Sequence, residues 1–267
     1  ALSKTYNHDA QVPDSAGTAT AMLTGAKTRI GVLGVAHQQP NGLCKGAEQH
    51  HLPTLIERAE EAGLKTGVVT TTRLTHATPG STYAHSPSRD WEDDGQLTDE
   101  AREHGCTDIA RQFLEFPYGD GIDVAMGGGR RHFLPTSEAD PEYSNRSGRR
   151  KDGRNLINEW KEKNANSHFA WNREQFDQTP TNTEKFLGLF EQSHMKYEAD
   201  RTMDEAGEPS LAEMTSKAID MLSKSNQGYV LLVEGGRIDH AHHGGNAYRA
   251  LKDAQAFSDA VNTAIKK

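Results

Sequence analysis

Apolar positions along this chain come in short blocks that switch between two periods. Val68-Val69-Thr70-Thr71-Thr72 is a β-branched run within residues 67–72 and reads as a buried strand. Residues 122–126 and 229–233 are further short apolar runs of strand length. Helical patterns lie between them. Residues 16–23 are small and Ala-rich, with Gly25 placed as a C-terminal stop. Residues 51–62 read as a helix stopped at Gly63, and 108–116 as another. Ser210 and Glu213 form a capping-box pattern that opens a helix running to about Ser223. Residues 245–267 are helical, with Leu251, Ala254, Phe257, Val261 and Ile265 on one face. Strand–helix alternation predicts the α/β class, with a mostly parallel central sheet sandwiched by helices. Residues 1–267 read as one core domain.

Composition narrows this picture. The mean hydropathy is −0.79, and no segment approaches the length and apolarity of a membrane span. The formal net charge is −8 with a pI near 5.9, and no basic stripe appears, which argues against nucleic-acid binding. An anionic ligand would have to be held by local groups, not by the overall field. The basic run at 146–154 contains Gly and reads as an exposed loop. Gly127-Gly128-Gly129 lacks the spacing of a dinucleotide fingerprint.

Three segments carry chemistry. After the 229–233 strand comes Glu234-Gly235-Gly236-Arg237-Ile238-Asp239-His240-Ala241-His242-His243. Carboxylate oxygen and imidazole nitrogen together suit divalent metals. The i, i+4 spacing of Asp239 and His243 puts both on one face of a helical turn. Glu234 falls at a strand's C-terminal end, where open α/β sheets bind ligands. The second segment is Pro13-Asp14-Ser15-Ala16-Gly17, with Ser15 at or near a helix N-terminus, where free N–H groups suit an anion. A capping serine or aspartate fits the same residues. The third follows the 67–72 strand: Arg73, His76, Thr78 and then Arg89, whose planar fork can hold two phosphate oxygens or simply face solvent.

Together these segments resemble the alkaline phosphatase family in its animal-like and related bacterial branch. The 14–21 stretch looks like the family's nucleophile motif, 68–79 its magnesium-side strand, and 233–243 its zinc motif. Weaker similarity lies at 127–130, 155–160 and 195–198. The resemblance spans essentially the whole chain and implies hydrolysis of phosphate monoesters through a phosphoserine on Ser15. It implies that Asp239 and His243 bind one Zn2+ and Ser15 another. Thr78 and Glu234 would bind Mg2+ with His76 close by. Arg89 would clamp the phosphate, Asp14 would orient Arg89, and His240 would lie near the phosphate. A metal can bind a serine as alkoxide without a histidine base, and phosphoryl transfer rests on positioning and charge neutralisation.

The resemblance also matches Glu142, Phe190, Glu191 and Glu208 to a calcium site, with Phe190 giving its backbone carbonyl and Glu standing where the branch has Asp. Exposed surface glutamates are the plain alternative. Cys44 and Cys106, which composition alone leaves as two buried thiols, match a disulfide of the branch. Closing that loop stabilises by about 4 kcal/mol in the chain-entropy model and implies a periplasmic or extracellular setting. A homodimer is implied by the family alone. The chain departs from the pattern as well. The family's early bridging aspartate, its later Asp-His pair and its final histidine have no counterparts. The expectation is therefore an internal fragment truncated at both ends. A non-catalytic homologue that binds metal or phosphate is the alternative. A Gly-x-Ser-x-Gly hydrolase is disfavoured by Pro13, and a sulfatase by the local sequence around Ser15.

Overall fold

The computed structural model describes residues 4–267. Five strands form one sheet: β1 (Lys65–Arg73), β2 (Val124–Gly128), β3 (Ser167–Ala170), β4 (Lys185–Leu189) and β5 (Tyr229–Glu234). Their order is β3-β4-β2-β1-β5, and every pairing is parallel. The expected class is what forms. Strand period 2 sorts the side chains onto two faces. Val68, Ala125 and Leu187 join a cluster with Ile56, Ile109, Leu156 and Trp160 on one face. Val69, Val124 and Phe186 join Met214, Ala218 and Leu222 on the other.

The helices start where local caps dictate. In α1 (Ser15–Thr24) the N-cap is Asp14, whose side chain accepts from Gly17 N, and Gly25 closes the helix at φ 77°. The helix expected over 51–62 begins later, as α2 (Leu55–Glu61), because Thr54 and Glu57 form a reciprocal capping box there. The loop before it is tied down instead by a bridge between His51 and Val35. A short α3 (Ala77–Gly80) follows β1 directly, α4 (Asp99–Glu103) follows in the next loop, and α5 (Ile109–Leu114) is capped by Asp108. Asn155 caps α6 (Leu156–Lys163) and Asn172 caps α7 (Arg173–Gln178). The box on Ser210 and Glu213 opens α8 (Leu211–Leu222) as expected. After β5 come α9 (Arg237–His243) and α10 (Ala247–Lys266).

Two features differ from expectation. The strands β3 and β4 were not read from the pattern; they are four and five residues long, and β3 sits half-exposed at the sheet edge. The apolar stripe expected to bury α10 is largely uncovered. Leu251 and Ile265 are 72% and 77% exposed, while Ala250, Asp253 and Ala260 face inward. Phe257 and Val261 instead border an open groove of about 320 Å³ shared with Thr215 and Val233. The glycines at 127–129 serve close approach: a Cβ on Gly128 would run into the Ser193 carbonyl. Cys44 and Cys106 form a disulfide, with Cα atoms 5.9 Å apart.

Candidate functional site

Residues at the C-terminal ends of β1, β4 and β5, together with the start of α1, converge on one rim of the sheet. Asp14 is the first piece. Its Oδ1 accepts from Gly17 N (3.0 Å) and Asn7 Nδ2 (2.9 Å), and its Oδ2 from Gly31 N (3.0 Å) and Arg89 Nη1 (3.1 Å). Burial pushes the Asp14 carboxyl upward, but these donors outweigh it and hold the group below its usual range. With Asp14 as the cap, Ser15 is the first helical residue and is half-buried. Its hydroxyl has no hydrogen-bond partner among the described residues, so it is not consumed by capping.

Arg89 is fixed at both edges of its fork. One nitrogen donates to Asp14, the other to His76 Nε2 at 3.0 Å. His76 is the N-cap residue of α3, and burial, reinforced by Arg89 and Arg73, pulls its imidazole down to about 3. It is neutral at physiological pH and accepts from the guanidinium, as a guanidinium can only donate. Thr78 is the second residue of α3.

Glu234 ends β5, directly opposite Thr70 in the register. Its carboxylate accepts from Thr70 Oγ1 at 2.6 Å and from Thr72 Oγ1 at 3.3 Å, with the Thr78 hydroxyl beside it. Burial drives its pKa up against these hydroxyls. No lysine or arginine pairs with it among the described residues. A half-buried carboxylate ringed by hydroxyl oxygens and lacking a cation is a donor set that fits a hard divalent ion.

On α9, Asp239 Oδ2 and His243 Nε2 are 3.5 Å apart, as the i, i+4 spacing predicts, with both side chains more than two-thirds exposed. His240, on the same helix, turns inward. Its Nδ1 meets Arg237 Nη1 at 2.9 Å, and burial followed by Arg237 lowers its pKa to about 4. Beside it lies His194, in the loop after β4, which the sequence reading did not single out. Arg73 backs this group: its fork grips Glu92 at 2.7 and 2.6 Å, and Thr75 donates to the same carboxylate at 2.6 Å. Burial opposes ionisation of Glu92, but His132 and Arg73 hold it at about 2.

Away from this rim, Glu142, Glu191 and Asp204 place carboxylate oxygens within 4.8 Å of one another. Arg130 donates to Glu142 at 2.8 Å, and Lys196 donates to Glu191 at 2.6 Å. Asp204 Oδ2 is buried without a partner. Burial, with Glu191 nearby, raises Glu142 to about 7. Phe190, next in the chain to Glu191, is fully buried. Glu208, which the sequence reading also placed here, is buried next to Glu191 and Asp204 and accepts from the Lys196 backbone N–H at 2.9 and 3.2 Å. Asp204 was not anticipated, because only the path of the 190–208 loop brings it beside Glu142 and Glu191.

The fold and this rim define a parallel α/β protein with a polar site at the carboxyl end of its sheet. A family model described as alkaline phosphatase matches residues 1–267. The tissue-nonspecific alkaline phosphatase of Homo sapiens is 45% identical over 99% of this chain and 51% of its own length. An alkaline phosphatase of Gadus morhua is 43% identical over 99% of this chain and 56% of its own. Among solved structures, the alkaline phosphatase of Thermus thermophilus aligns with a TM-score of 0.75 at 33% identity. It covers 98% of this chain and 46% of that one. The enzyme of the Antarctic bacterium TAB5 gives 0.72 at 26% identity, covering 98% and 63%. This chain belongs to the alkaline phosphatase family. It spans about half the length of the curated relatives it matches.

Proposed function

We propose that the protein hydrolyses phosphate monoesters, with Ser15 as nucleophile and the phosphoryl group passing through a phosphoserine. The observation that carries this reading is the Asp14–Ser15–Arg89 arrangement. A serine with a free hydroxyl stands at the first position of a helix, where the N–H groups favour an anion. Across from it, Arg89 is gripped by Asp14 and His76, so its fork is oriented before any ligand arrives. Asp14, held ionised, keeps Arg89 in place instead of taking the serine's proton.

Thr78 and Glu234 would hold Mg2+, with His76 beside them; a mutant of the TAB5 relative has been solved with Mg bound. Asp239 and His243 would hold one Zn2+ and the Ser15 hydroxyl oxygen another. Bound divalent ions would lower the pKa of the serine and of an attacking water and neutralise charge on the phosphoryl oxygens. Two donors on α9 and one on Ser15 leave each zinc position short of four, so full sets draw on further groups. Glu142, Glu191 and the backbone carbonyl of Phe190, with Asp204 beside them and Glu208 close by, form a separate oxygen-rich set suited to Ca2+.

We read residues 1–267 as one core domain and the protein as a homodimer, by family. The disulfide supports an oxidising periplasmic or extracellular setting. No helix among the described residues is long and apolar enough to cross a membrane.

Acid quenching during hydrolysis of p-nitrophenyl phosphate, in Zn2+ and Mg2+, followed by peptide mass spectrometry, tests the reading. Phosphate on Ser15, absent in Ser15→Ala, is the expected result. Neither turnover nor phosphoserine would favour the non-catalytic alternative. Arg89→Ala should raise the barrier by about 3 kcal/mol and weaken inhibition by inorganic phosphate.

A further inference from the structure

Asn7 holds an amide against the first turn of α1 in a way that packing alone does not explain. It lies in the loop ahead of the helix and is 2% exposed. Its Nδ2 donates to Asp14 Oδ1 at 2.9 Å. A carboxylate can only accept, so this contact fixes which end of the carboxamide is nitrogen. Asn7 Oδ1 is then buried and has no partner among the described residues. A buried acceptor left unmade costs about as much as a hydrogen bond gains. A leucine of similar shape would avoid that cost, but it could not donate to Asp14.

A second local cost points to the same contact. The carboxamide lies directly over Gly17, where a Cβ would meet Asn7 Cγ at 2.6 Å and Nδ2 at 2.7 Å. Glycine weakens a helix relative to alanine, and here it lets the amide reach the cap. The loop that delivers Asn7 is pinned on both sides. Asn7 N donates to Ala10 O at 2.9 Å and His8 N to Thr28 O at 2.8 Å. Asp9 Oδ1 accepts from Ile30 N at 2.9 Å, one residue before the Gly31 N–H that also reaches Asp14.

We propose that Asn7 is a positioning residue of the phosphate clamp, acting through Asp14 to set the direction in which Arg89 presents its fork. Asp14 takes Gly17 N and Asn7 Nδ2 on one oxygen, and Gly31 N and Arg89 Nη1 on the other. The two side-chain donors thus pull on opposite oxygens. The terminal torsion of an aspartate is soft, and a turn of the carboxylate that eases one of these contacts strains the other. The far edge of the Arg89 fork meets only the neutral His76 ring, so Asp14 is its charged tether. A small rotation at Asp14 is carried along the guanidinium to the place where phosphate oxygens would sit. The inference rests on the reading of Arg89 as a phosphate clamp, and not on turnover.

Calorimetric titration of inorganic phosphate into the full chain, loaded with Zn2+ and Mg2+ and freed of the excess, reads the clamp without catalysis. Asn7→Leu should weaken phosphate binding about 10-fold, the low end of what a hydrogen bond to a charged group is worth. In an Arg89→Ala background the same substitution should change affinity by less than about 2-fold, because no fork is left to aim. A merely structural role would cost the same factor in both backgrounds, and that result overturns the proposal. So does phosphate affinity unchanged by Asn7→Leu, or a parent protein that binds no phosphate. Should Asn7→Leu fail to fold, Asn7→Ala, too short to reach Asp14, makes the same test. A parent protein that shows the coupling but forms no phosphoserine supports this inference and sinks the hydrolytic reading. Phosphoserine on Ser15 without the coupling does the reverse.

Discussion

The two ends of the central sheet both draw carboxylates partly or wholly out of solvent, and they resolve the problem in opposite ways. At the N-terminal end, Glu60, Asp120 and Asp123 cluster below β1 and β2. Lys65 reaches Asp123 at 2.7 Å and Asp120 at 3.1 Å, and Lys185 reaches Asp120 at 3.2 Å. Thr66 adds a hydroxyl to Glu60. There the chain carries its own countercharge. At the C-terminal end, half-buried Glu234 sits among three threonine hydroxyls without a cation of its own among the described residues. The first arrangement is finished by folding. The second leaves its charge to be met from outside the chain, which the proposed metal would do. The location matches the rule that ligands bind beyond the carboxyl ends of parallel strands.

The largest effect expected at the finished end comes from removing its countercharge. The double variant Lys65→Met/Lys185→Met strands the buried Asp123 and the acids beside it, and should cost about 3 kcal/mol in urea unfolding. A loss under half that size would mean the network is not what neutralises this end. At the open end, Mg2+ should add about 2.7 kcal/mol to unfolding free energy at 100 times its Kd. Glu234→Gln should abolish this gain, while Glu60→Gln should leave it intact. Equal responses in the two variants would erase the distinction between the ends.

The sequence carried the locally determined parts of this picture. The apolar runs of β1, β2 and β5, the capping box on Ser210 and the i, i+4 geometry of α9 depend on neighbours a few residues away. The Asp14–Arg89 pair spans 75 positions, so the residues alone could not say whether Ser15 or Asp14 was the cap. Family resemblance supplied the grouping of those two with His76 and Glu234, and also the Cys44–Cys106 pair. His194 carried no signal at all: a single histidine in the polar loop Gln192-Ser193-His194 gains meaning only when the ends of β4 and β5 bring it to His240. Periodicity found the stripe on α10 but could not say what covers it. The short β4 run, Phe186-Leu187-Gly188-Leu189, is equally compatible with a helix fragment by pattern alone.

The subtlest contrast lies in pH. Burial, partly opposed by Thr66 and sharpened by Asp123, raises Glu60 from an ordinary value of 4.5 to about 7. The native protein thus holds a proton there, between pH 4.5 and 7, that the unfolded chain releases. Stability from this group is fully present below pH 4.5 and is lost as pH rises through 7, where an ionised Glu60 faces Asp123 and Asp120. Glu60→Gln keeps a neutral polar group at every pH. It should match the parent protein near pH 4.5, and its advantage should grow across the window to roughly 2 kcal/mol at pH 8. Denaturant titrations at pH 4.5, 6 and 8 read this directly. A constant offset at all three would show that Glu60 is ionised throughout. The two lysines would then neutralise all three acids of that end, and the contrast with Glu234 would be sharper still.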